Sequence, residues 1–514
     1  MQILYLGAVT EKPNRRSTIA GIERDHVGNL ILLVTLIPMI FINLGSYHDW
    51  GGDFSLYIQQ AINLIEGVNQ SETHYVFNPY HIYLSPPSYG VGFPLLLAPV
   101  YAIFGNDIEA FLTFISIVLF LFLFLHFRYL RQRFNILESL IITGTIAYTP
   151  RILLIKGEVL SDIPFALFVC ICLLLYSKLR HSKPQVLFFL IGLLVGFTML
   201  IRSIGFLLIL AFIIDQAVLI LRDKEFGKKS ALKNTTPIAL AAFGCVLVYV
   251  AFGSIIFPAK QESFSFFSEL FFTDPVYDQA RVGLSYYLSQ LEHTFNPEAD
   301  KWQFLGILLK SFVIVMLILG MFNKFIKRPD FADYFFVMYM GVVLIFPVYS
   351  QGIRYLIPVF PIASGYIITG FRSFRFERKI NKNLIYLICS ISVYLTYERE
   401  VKIIDLYFPE KHKGPQTEQA IETFEFISNT TSTKDIIVFN KPRVLGLYTQ
   451  RDSYAFYPYG NLNTTRSQLW DLGWNYVLTC TELPDPPMEE FLETRREEVV
   501  KVFTNEKFTL YRKK

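Results

Sequence analysis

The sequence has little charge for its length. Only 18% of the 514 residues are Asp, Glu, Lys or Arg, whereas an average soluble domain contains about 25%. Hydrophobic residues make up 53% of the chain, and the mean hydropathy is +0.39. Several stretches of about 20 residues carry almost no charge, which is long enough to cross a bilayer. This composition excludes a soluble enzyme, a disordered protein and a secreted disulfide scaffold.

Cysteines and net charge are also scarce. Four of the five cysteines, Cys170, Cys172, Cys245 and Cys389, lie in apolar runs, where a small polarizable side chain packs well. Cys480 has no plausible partner, so no disulfide is predicted. The net charge of +4 is too small to indicate a nucleic-acid partner.

Eleven apolar stretches are interpreted as transmembrane helices. They are roughly 29–45, 108–127, 136–152, 162–177, 186–201, 204–221, 237–257, 304–322, 334–350, 355–371 and 384–397. The first stretch follows a charged leader, and no small-residue cleavage site follows it. It is therefore predicted to be a retained span and not a signal peptide.

Lysine and arginine follow every second span, whereas residues 46–88 contain neither. Because cytoplasmic loops are enriched in these two residues, we predict a cytoplasmic N-terminus and an external C-terminal region. The expected location is the plasma membrane, in particular a bacterial inner membrane.

Three parts of the chain follow from this pattern. They are a cytoplasmic tail (1–28), a multi-spanning domain (29–399) with outer loops at 46–107 and 258–303, and an extracytoplasmic domain (400–514). In the first loop, Phe54–Glu66 has helical spacing and is predicted to lie flat on the membrane surface. Gly92–Phe104 is short and interrupted by proline, so it is interpreted as an interfacial or re-entrant helix. A small α/β fold is predicted for 400–514, with alternating strands at 435–440, 454–457, 476–481, 499–503 and 508–511 and helical stretches such as 418–427 and 488–496.

Charged residues gather at the outer ends of several predicted spans, where they are costly and therefore mark functional candidates. The set comprises Asp49 and Asp53, then Arg151, Lys156, Glu158 and Asp162, and finally Arg202, Lys260, Arg281 and Arg354. We expect them to converge on one cavity.

Each of these residues also allows a structural explanation. Asp53 and Asp162 suit helix caps, and Arg202 and Arg354 suit interfacial anchors whose heads reach water. The functional alternatives are a carboxylate base whose pKa is raised by an apolar environment and guanidinium ligands for phosphate. The sequence has no His/Cys/Glu metal signature and no phosphate-binding glycine loop, so no cofactor is predicted to be required.

Several motifs occur in a recognisable order. They are Gly52-Asp53 with Tyr57, Pro86-Pro87-Ser88-Tyr89, Gly92-Phe93-Pro94, Glu158…Ser161-Asp162-Ile-Pro164, Gly196…Arg202, and Arg354-Tyr355-Leu356-Ile-Pro358. As a set, over most of 29–371, they resemble the GT-C glycosyltransferases of the protein mannosyltransferase and aminoarabinose transferase type (glycosyltransferase family 39-like). The resemblance rests on order and topology more than on any one motif.

The resemblance implies a sugar donor linked to a polyprenyl phosphate, and transfer with inversion to a lipid, protein or glycan acceptor on the outer face. It implies that Asp53 is the base or a metal ligand, and that Glu158 and Asp162 form the second acidic site. A paired acid directly beside Asp53 is absent, which weakens the metal role, although a divalent metal stays an alternative. Arg202 and Arg354, joined by Lys156 and Arg151, are expected to hold the donor phosphate, and Asp49, Tyr57, Tyr89 and Tyr355 to contact substrate.

Two other classes of protein compete with this interpretation. A transporter or flippase for a lipid-linked sugar would also need basic groups, but its polar residues should lie near the middle of the bilayer. Here the middles of the spans are nearly free of charge, with Asp215 and Lys310 as exceptions. A scaffold or receptor would explain neither the basic groups nor the acidic loop.

Overall fold

The protein combines a bundle of apolar helices with a small C-terminal sheet domain. A computed structural model describes residues 15–42, 48–80, 86–179, 185–222, 228–258, 275–295, 303–346, 352–373, 414–456 and 462–514. The predicted eleventh span, 384–397, lies outside these residues.

The helices of the bundle follow the predicted spans closely. They are α1 (Arg15–Phe41), α2 (Gly52–Glu66), α3 (Gly92–Phe104), α4 (Ile108–Arg131), α5 (Ile136–Ala147), α6 (Pro150–Lys156), α7 (Asp162–Leu179), α8 (Gln185–Ile201), α9 (Phe206–Arg222), α10 (Lys228–Val250), α11 (Val276–Phe295), α12 (Gln303–Lys327), α13 (Phe331–Ile345) and α14 (Phe360–Ser373). A 3₁₀ turn precedes α9, a π-helical turn follows α10, and the 3₁₀ segment Gly352–Val359 leads into α14. An apolar helix thus occupies each of the first ten predicted spans.

Length and composition separate these helices into two groups. Among the described residues, four segments are long and apolar enough to cross a membrane: Ile108–Arg131, Ser203–Arg222, Thr235–Ile256 and Gly352–Ser373. His26–Phe41, Gly92–Phe104, Ile136–Ala147, Gln185–Ile201 and Phe331–Ile345 are apolar but shorter. The count of eleven spans therefore stays a prediction.

The third predicted span is broken in the structure. Helix α5 ends at Ala147, and α6 begins at Pro150 after an extended Thr149 (ψ 124°). This break has a local cause, because the proline ring disfavours helical geometry at the residue before it. The short helix α6 carries Arg151 and Lys156 away from the axis of α5.

Helix α2 has the predicted bounds, and most of its side chains are buried. Ten consecutive side chains, 54–63, are buried, and α2 packs against α3 on one side and against the C-terminal domain on another. A helix lying on lipid would leave its apolar face uncovered by protein. The apolar face of α2 is therefore covered by protein and not left for lipid, with only its end, near Ile65, exposed; a position of α2 at the membrane surface stays a prediction.

The C-terminal domain is a five-stranded mixed sheet with helices. Its strands are β1 (Ile436–Val438), β2 (Asp452–Tyr454), β3 (Tyr476–Cys480), β4 (Val499–Thr504) and β5 (Phe508–Lys513), in the order β2-β1-β3-β5-β4. Strand β1 pairs in parallel with β2 and β3, and β5 pairs antiparallel with β3 and β4. Its helices are α15 (Glu418–Thr430), α16 (Pro442–Thr449), α17 (Leu462–Leu472) and α18 (Pro486–Thr494). The α/β prediction is confirmed, although α16 and α17 were not foreseen.

This domain docks on the first loop of the bundle. The Val76 amide donates to the Ser453 carbonyl, and the Ser453 amide donates to the His74 carbonyl, each at 2.9 Å, which extends the sheet beyond β2. The Trp50 ring packs with its centroid 6.1 Å from that of Phe439, inside the domain's aromatic core. Backbone pairing and aromatic burial together fix the domain against α2.

Candidate active site

Asp53 lies in the first turn of α2 and is the centre of a cluster of charges. One carboxylate oxygen, Oδ1, accepts hydrogen bonds from the Tyr89 hydroxyl at 2.9 Å and from Arg443 Nη1 at 3.0 Å. The other, Oδ2, lies 3.8 Å from Arg354 Nη2. Burial alone would raise the pKa of Asp53, but Arg443 and Arg354 hold it below its ordinary value. Asp53 is thus an ionised carboxylate between two guanidinium groups.

The capping explanation for Asp53 does not hold. The residue that caps α2 is Gly51, and Gly51 makes no side-chain cap. The Asp53 carboxylate is bonded to residues of other segments and not to the amides of its own helix. The side chain therefore has a tertiary role.

Asp162 forms the second acidic centre, at the first residue of α7. It accepts a hydrogen bond from Arg202, which follows α8. Its other oxygen lies 4.0 Å from Arg354 Nε. Arg354 therefore bridges the two acids, and four segments that are distant in sequence meet at one point. Asp53, Asp162, Arg202 and Arg354, together with Arg443, form the charge cluster.

The Tyr355 ring makes cation–π contacts with both of these arginines. The guanidinium carbons of Arg202 and Arg354 lie 4.9 and 5.3 Å from its ring centroid, which are favourable cation–π distances. Gly352 lets the chain turn into this segment, because its φ of +61° is one that L side chains rarely adopt. An interfacial anchor would place its charge in water, whereas the Arg354 side chain is only 13% exposed.

Two tyrosines form a wall beside the acids. The Tyr57 and Tyr89 rings stack with centroids 4.6 Å apart. The Tyr57 hydroxyl is hydrogen-bonded to Ser161 Oγ at 2.9 Å, so this wall touches both acidic segments. The structure thus places Tyr57 and Tyr89 beside the acids and Tyr355 against the two arginines, and contact of the three with substrate stays a prediction.

Asp49 and Glu158 lie at the edge of this cluster, beside His48. The Val159 amide donates to His48 Nε2 at 3.2 Å. His48 Nδ1 therefore carries the proton and faces Asp49 Oδ1 at 2.9 Å. Burial, together with the nearby Asp49 charge, raises the pKa of Glu158 to about 7. The pKa of Asp49 falls to about 2, because its bonds to His48 and to the Gly51 amide outweigh its partial burial. Glu158 is thus the acid whose pKa best suits proton transfer near neutral pH.

Lys156 and Arg151 occupy other places. Lys156 is 1% exposed, and its ammonium donates to the Ile40 carbonyl at 3.0 Å and to the Ser116 hydroxyl at 3.2 Å. These partners on α1 and α4 direct it into the bundle, which corrects its expected place among the phosphate ligands. Arg151 lies beside Gly352, where a Cβ would be 3.9 Å from its Nη1, and so borders the segment that carries Arg354.

Arg443 was missed by the sequence reasoning. It lies in α16 of the C-terminal domain, 390 positions after Asp53, in a region that the resemblance does not cover. Its side chain is 6% exposed. No local pattern marks it, because only the docking of the domain brings it to α2.

In the described part of the chain, the surroundings of Asp53 do not favour a bound metal ion. Among the described residues, no group of three or more His, Cys, Asp or Glu side chains is arranged to hold a metal ion. Both oxygens of Asp53 already face guanidinium groups, which would repel a cation. No step below depends on a metal.

A large cavity lies at the opposite end of the helices. It has a volume of about 880 Å³ and is lined by the far ends of α4 and α7 and by the start of α13. Two of its four basic residues, Arg133 and Lys324, are paired with the buried Asp330, at 3.0 and 2.9 Å. Helix α7 runs from Asp162 to this cavity, so its length places the cavity about 20 Å from the charge cluster.

Part of the chain matches a known family. Residues 88–250 match the family model of dolichyl-phosphate-mannose–protein mannosyltransferases. No curated protein sequence matches the chain.

Solved structures extend the likeness to most of the chain. One is ArnT from Cupriavidus metallidurans bound to undecaprenyl phosphate, with a TM-score of 0.56 and 10% identity over 94% of this chain and 97% of that one. The apo state of ArnT matches with a TM-score of 0.54 and 11% identity over 96% and 98%. Another is the archaeal oligosaccharyltransferase AglB from Archaeoglobus fulgidus, in complex with an inhibitory peptide and a dolichol-phosphate. It has a TM-score of 0.52 and 12% identity over 91% of this chain and 70% of that one.

These matches define the class of fold. The chain has the GT-C fold of multi-pass membrane glycosyltransferases, as the sequence resemblance predicted. Neither the family model nor these structures support a transporter.

Proposed function

We propose that the chain is a membrane glycosyltransferase that moves a sugar, with inversion, from a polyprenyl-phosphate-linked donor to an acceptor on the outer face of the membrane. The observation that carries this proposal is the convergence of Asp53 and Asp162 with Arg202 and Arg354 inside a GT-C fold. The similar structure of ArnT contains undecaprenyl phosphate, and that of AglB contains an inhibitory peptide and a dolichol-phosphate. A lipid-linked donor and a lipid, protein or glycan acceptor are proposed here by analogy.

The chemistry requires an acid–base group and cations at one place. The acceptor hydroxyl attacks the anomeric carbon while a carboxylate takes its proton. The bond from that carbon to the phosphate oxygen breaks, and the leaving phosphate gains negative charge. Arg202 and Arg354 would stabilise that charge, with Arg151 at their edge. Tyr57, Tyr89, Tyr355 and Asp49 would contact the substrates.

Two carboxylates compete for the role of base. Asp53 is ionised and central, and it is our first assignment. Glu158 has a pKa of about 7, and a base titrating near the working pH transfers protons most effectively. Asp162 is bound to Arg202, so its proposed role is to orient that arginine.

The arrangement in the membrane is part of the proposal. We place eleven spans in the plasma membrane, in particular a bacterial inner membrane. The N-terminus would lie inside and the C-terminal domain outside. The charge cluster would then lie at the outer surface, where the head group of a polyprenyl lipid resides.

The test is a transfer assay with purified protein in lipid nanodiscs. Defined polyprenyl-phosphate sugars and candidate acceptors are supplied, and the products are identified by mass spectrometry and by the anomeric configuration of the new bond. We expect transfer with inversion from at least one donor, and loss of transfer in Asp53→Asn. Movement of the intact donor across proteoliposomes, with no transfer to any acceptor, would support the transporter instead.

A further inference from the structure

The C-terminal domain contributes Arg443 to the charge cluster. Arg443 in α16 donates to Asp53 Oδ1 at 3.0 Å and to the Tyr89 hydroxyl at 3.4 Å. Tyr89 in turn donates to the same oxygen of Asp53 at 2.9 Å. Asp53, Tyr89 and Arg443 therefore form a closed triangle across the boundary between the two parts of the protein.

The position of Arg443 is fixed by its surroundings. Its guanidinium carbon lies 5.9 Å from the Tyr75 ring centroid, and only 6% of its side chain is exposed. A buried cation needs an anionic partner, since unpaired burial of charge is costly. Asp53 is the anion that supplies this pairing.

Gly52 leaves room for this arginine. A Cβ built on Gly52 would lie 2.7 Å from Arg443 Nη2 and 2.8 Å from Nε, closer than van der Waals contact allows. Gly52 is the first residue of α2, where alanine suits the helix better than glycine does. The glycine is thus explained by the approach of Arg443 and not by the conformation of the helix.

We propose that Arg443 is a positioning residue of the transferase reaction, so that the active site is complete only when the C-terminal domain is docked. This inference rests on the proposed function. Arg443 fixes one oxygen of Asp53 and keeps the carboxylate charged, which leaves the other oxygen directed toward Arg354 and the substrates. The domain thereby acts on the reaction without contacting the reacting atoms.

The charge environment of Asp53 gives the proposal a pH signature. The groups that face it are Arg443 from α16, Arg354 from the 3₁₀ segment, and the hydroxyls of Tyr89 and Tyr57. Removal of Arg443 leaves one cation where there were two, so the pKa of Asp53 rises toward its ordinary value. Because the ionised form is the active one, activity is then lost at a higher pH as the solution is acidified.

The experiment compares Arg443→Gln and Arg443→Lys with the wild type in full-length protein. We expect kcat to fall about 10- to 100-fold in Arg443→Gln, with KM for the donor nearly unchanged. The acid limb of the pH profile should move to higher pH, because the pKa of Asp53 is no longer lowered by Arg443. Relative to Arg443→Gln, Arg443→Lys should restore part of kcat and most of the pH profile. Lysine returns the positive charge but not the planar guanidinium with its forked pair of donors.

Arg451→Gln is the matched control for the loss of a buried arginine. Arg451 belongs to the same domain and is 8% exposed, but it donates to Thr431 Oγ1 at 3.0 Å and to the Ser428 carbonyl at 2.7 Å. We expect it to lower thermal stability and to leave the pH profile of the folded fraction unchanged. An equal shift in both variants would mean that domain stability, and not Asp53, is the cause.

A second variant does not depend on removing Arg443. Gly52→Ala should displace the guanidinium and reproduce the fall in kcat, and it should add little to Arg443→Gln, since both changes break the same contact. The same non-additivity should appear in thermal unfolding, which needs no activity assay. A wild type without transfer activity would refute the proposed function. An active wild type whose Arg443→Gln variant keeps its kcat and pH profile would refute the role of Arg443.

Discussion

Asp53→Asn is the substitution that best separates catalysis from structure in the charge cluster. Asparagine keeps an oxygen that can accept from Tyr89 and Arg443, whose donors lie 2.9 and 3.0 Å from the carboxylate. It removes the negative charge and the site that takes up a proton. The shape of the contact therefore survives while the chemistry does not.

The two roles predict effects of different size. A residue that only holds two arginines loses charge-assisted hydrogen bonds worth about 1.5–3 kcal/mol each. That loss is reduced here by solvent, because the Asp53 side chain is 30% exposed. It would appear as lower stability with normal turnover by the protein that remains folded. A general base predicts a fall in kcat of roughly 10²–10⁴-fold, with donor binding intact.

The assay measures both quantities on the same preparation. Thermal unfolding in detergent reports the folded fraction, and transfer rates are normalised to it. Asp49→Asn is the control, since Asp49 is 48% exposed and pairs with His48 rather than with an arginine, so a milder effect is expected. A folded Asp53→Asn protein that transfers sugar at nearly the wild-type rate would refute the assignment and move the base to Glu158 or Asp162.

The remaining predictions concern other parts of the same proposal. The raised pKa of Glu158 means that its ionised form is disfavoured in the folded protein. As pH rises from 4.5 to about 7, the wild type should lose stability relative to Glu158→Gln, and parallel melting curves would refute this. Arg354→Ala should weaken donor binding by about 10- to 100-fold and Arg354→Lys by less; unchanged affinity in Arg354→Ala would leave this residue only a structural role. A reporter fused after Lys514 should be active only outside the cytoplasm. This fusion is preferable to thiol labelling of Cys480, which is 4% exposed.

The sequence predicted the parts of the fold that are encoded locally. Apolar runs located the helices, and alternation located all five strands of the C-terminal domain within a few residues. Short helices were harder, because a helix of 8 residues such as α16 makes only about two turns and leaves little pattern in the sequence. The break before Pro150 was overlooked because the apolar run continues through it, although the proline itself was a usable signal.

The site was predictable only where order along the chain implied proximity. Asp53, Asp162, Arg202 and Arg354 all stand at predicted outer ends of spans, so a common depth in the membrane was expected to bring them together. Lys156 also follows a predicted span, but it lies at the end of the short helix α6, where its ammonium donates to the Ser116 hydroxyl. Burial of α2 and the arrival of Arg443 depend on the docking of a domain, which span positions do not encode.

The charge balance of the cluster supports the proposed phosphate-linked substrate. Asp53 and Asp162 contribute two negative charges, and Arg202, Arg354 and Arg443 contribute three positive ones. Across these five side chains the difference is one positive charge. At the edge of the cluster, Glu158 is largely neutral below its pKa of about 7, and the ionised Asp49 lies beside His48. A sugar linked to a polyprenyl lipid through a phosphodiester carries one negative charge, which this excess would balance. When the lipid phosphate departs, its negative charge would increase, while the base would be neutralised by the proton of the acceptor. The arginines would therefore stabilise the charge distribution of the products more than that of the bound donor.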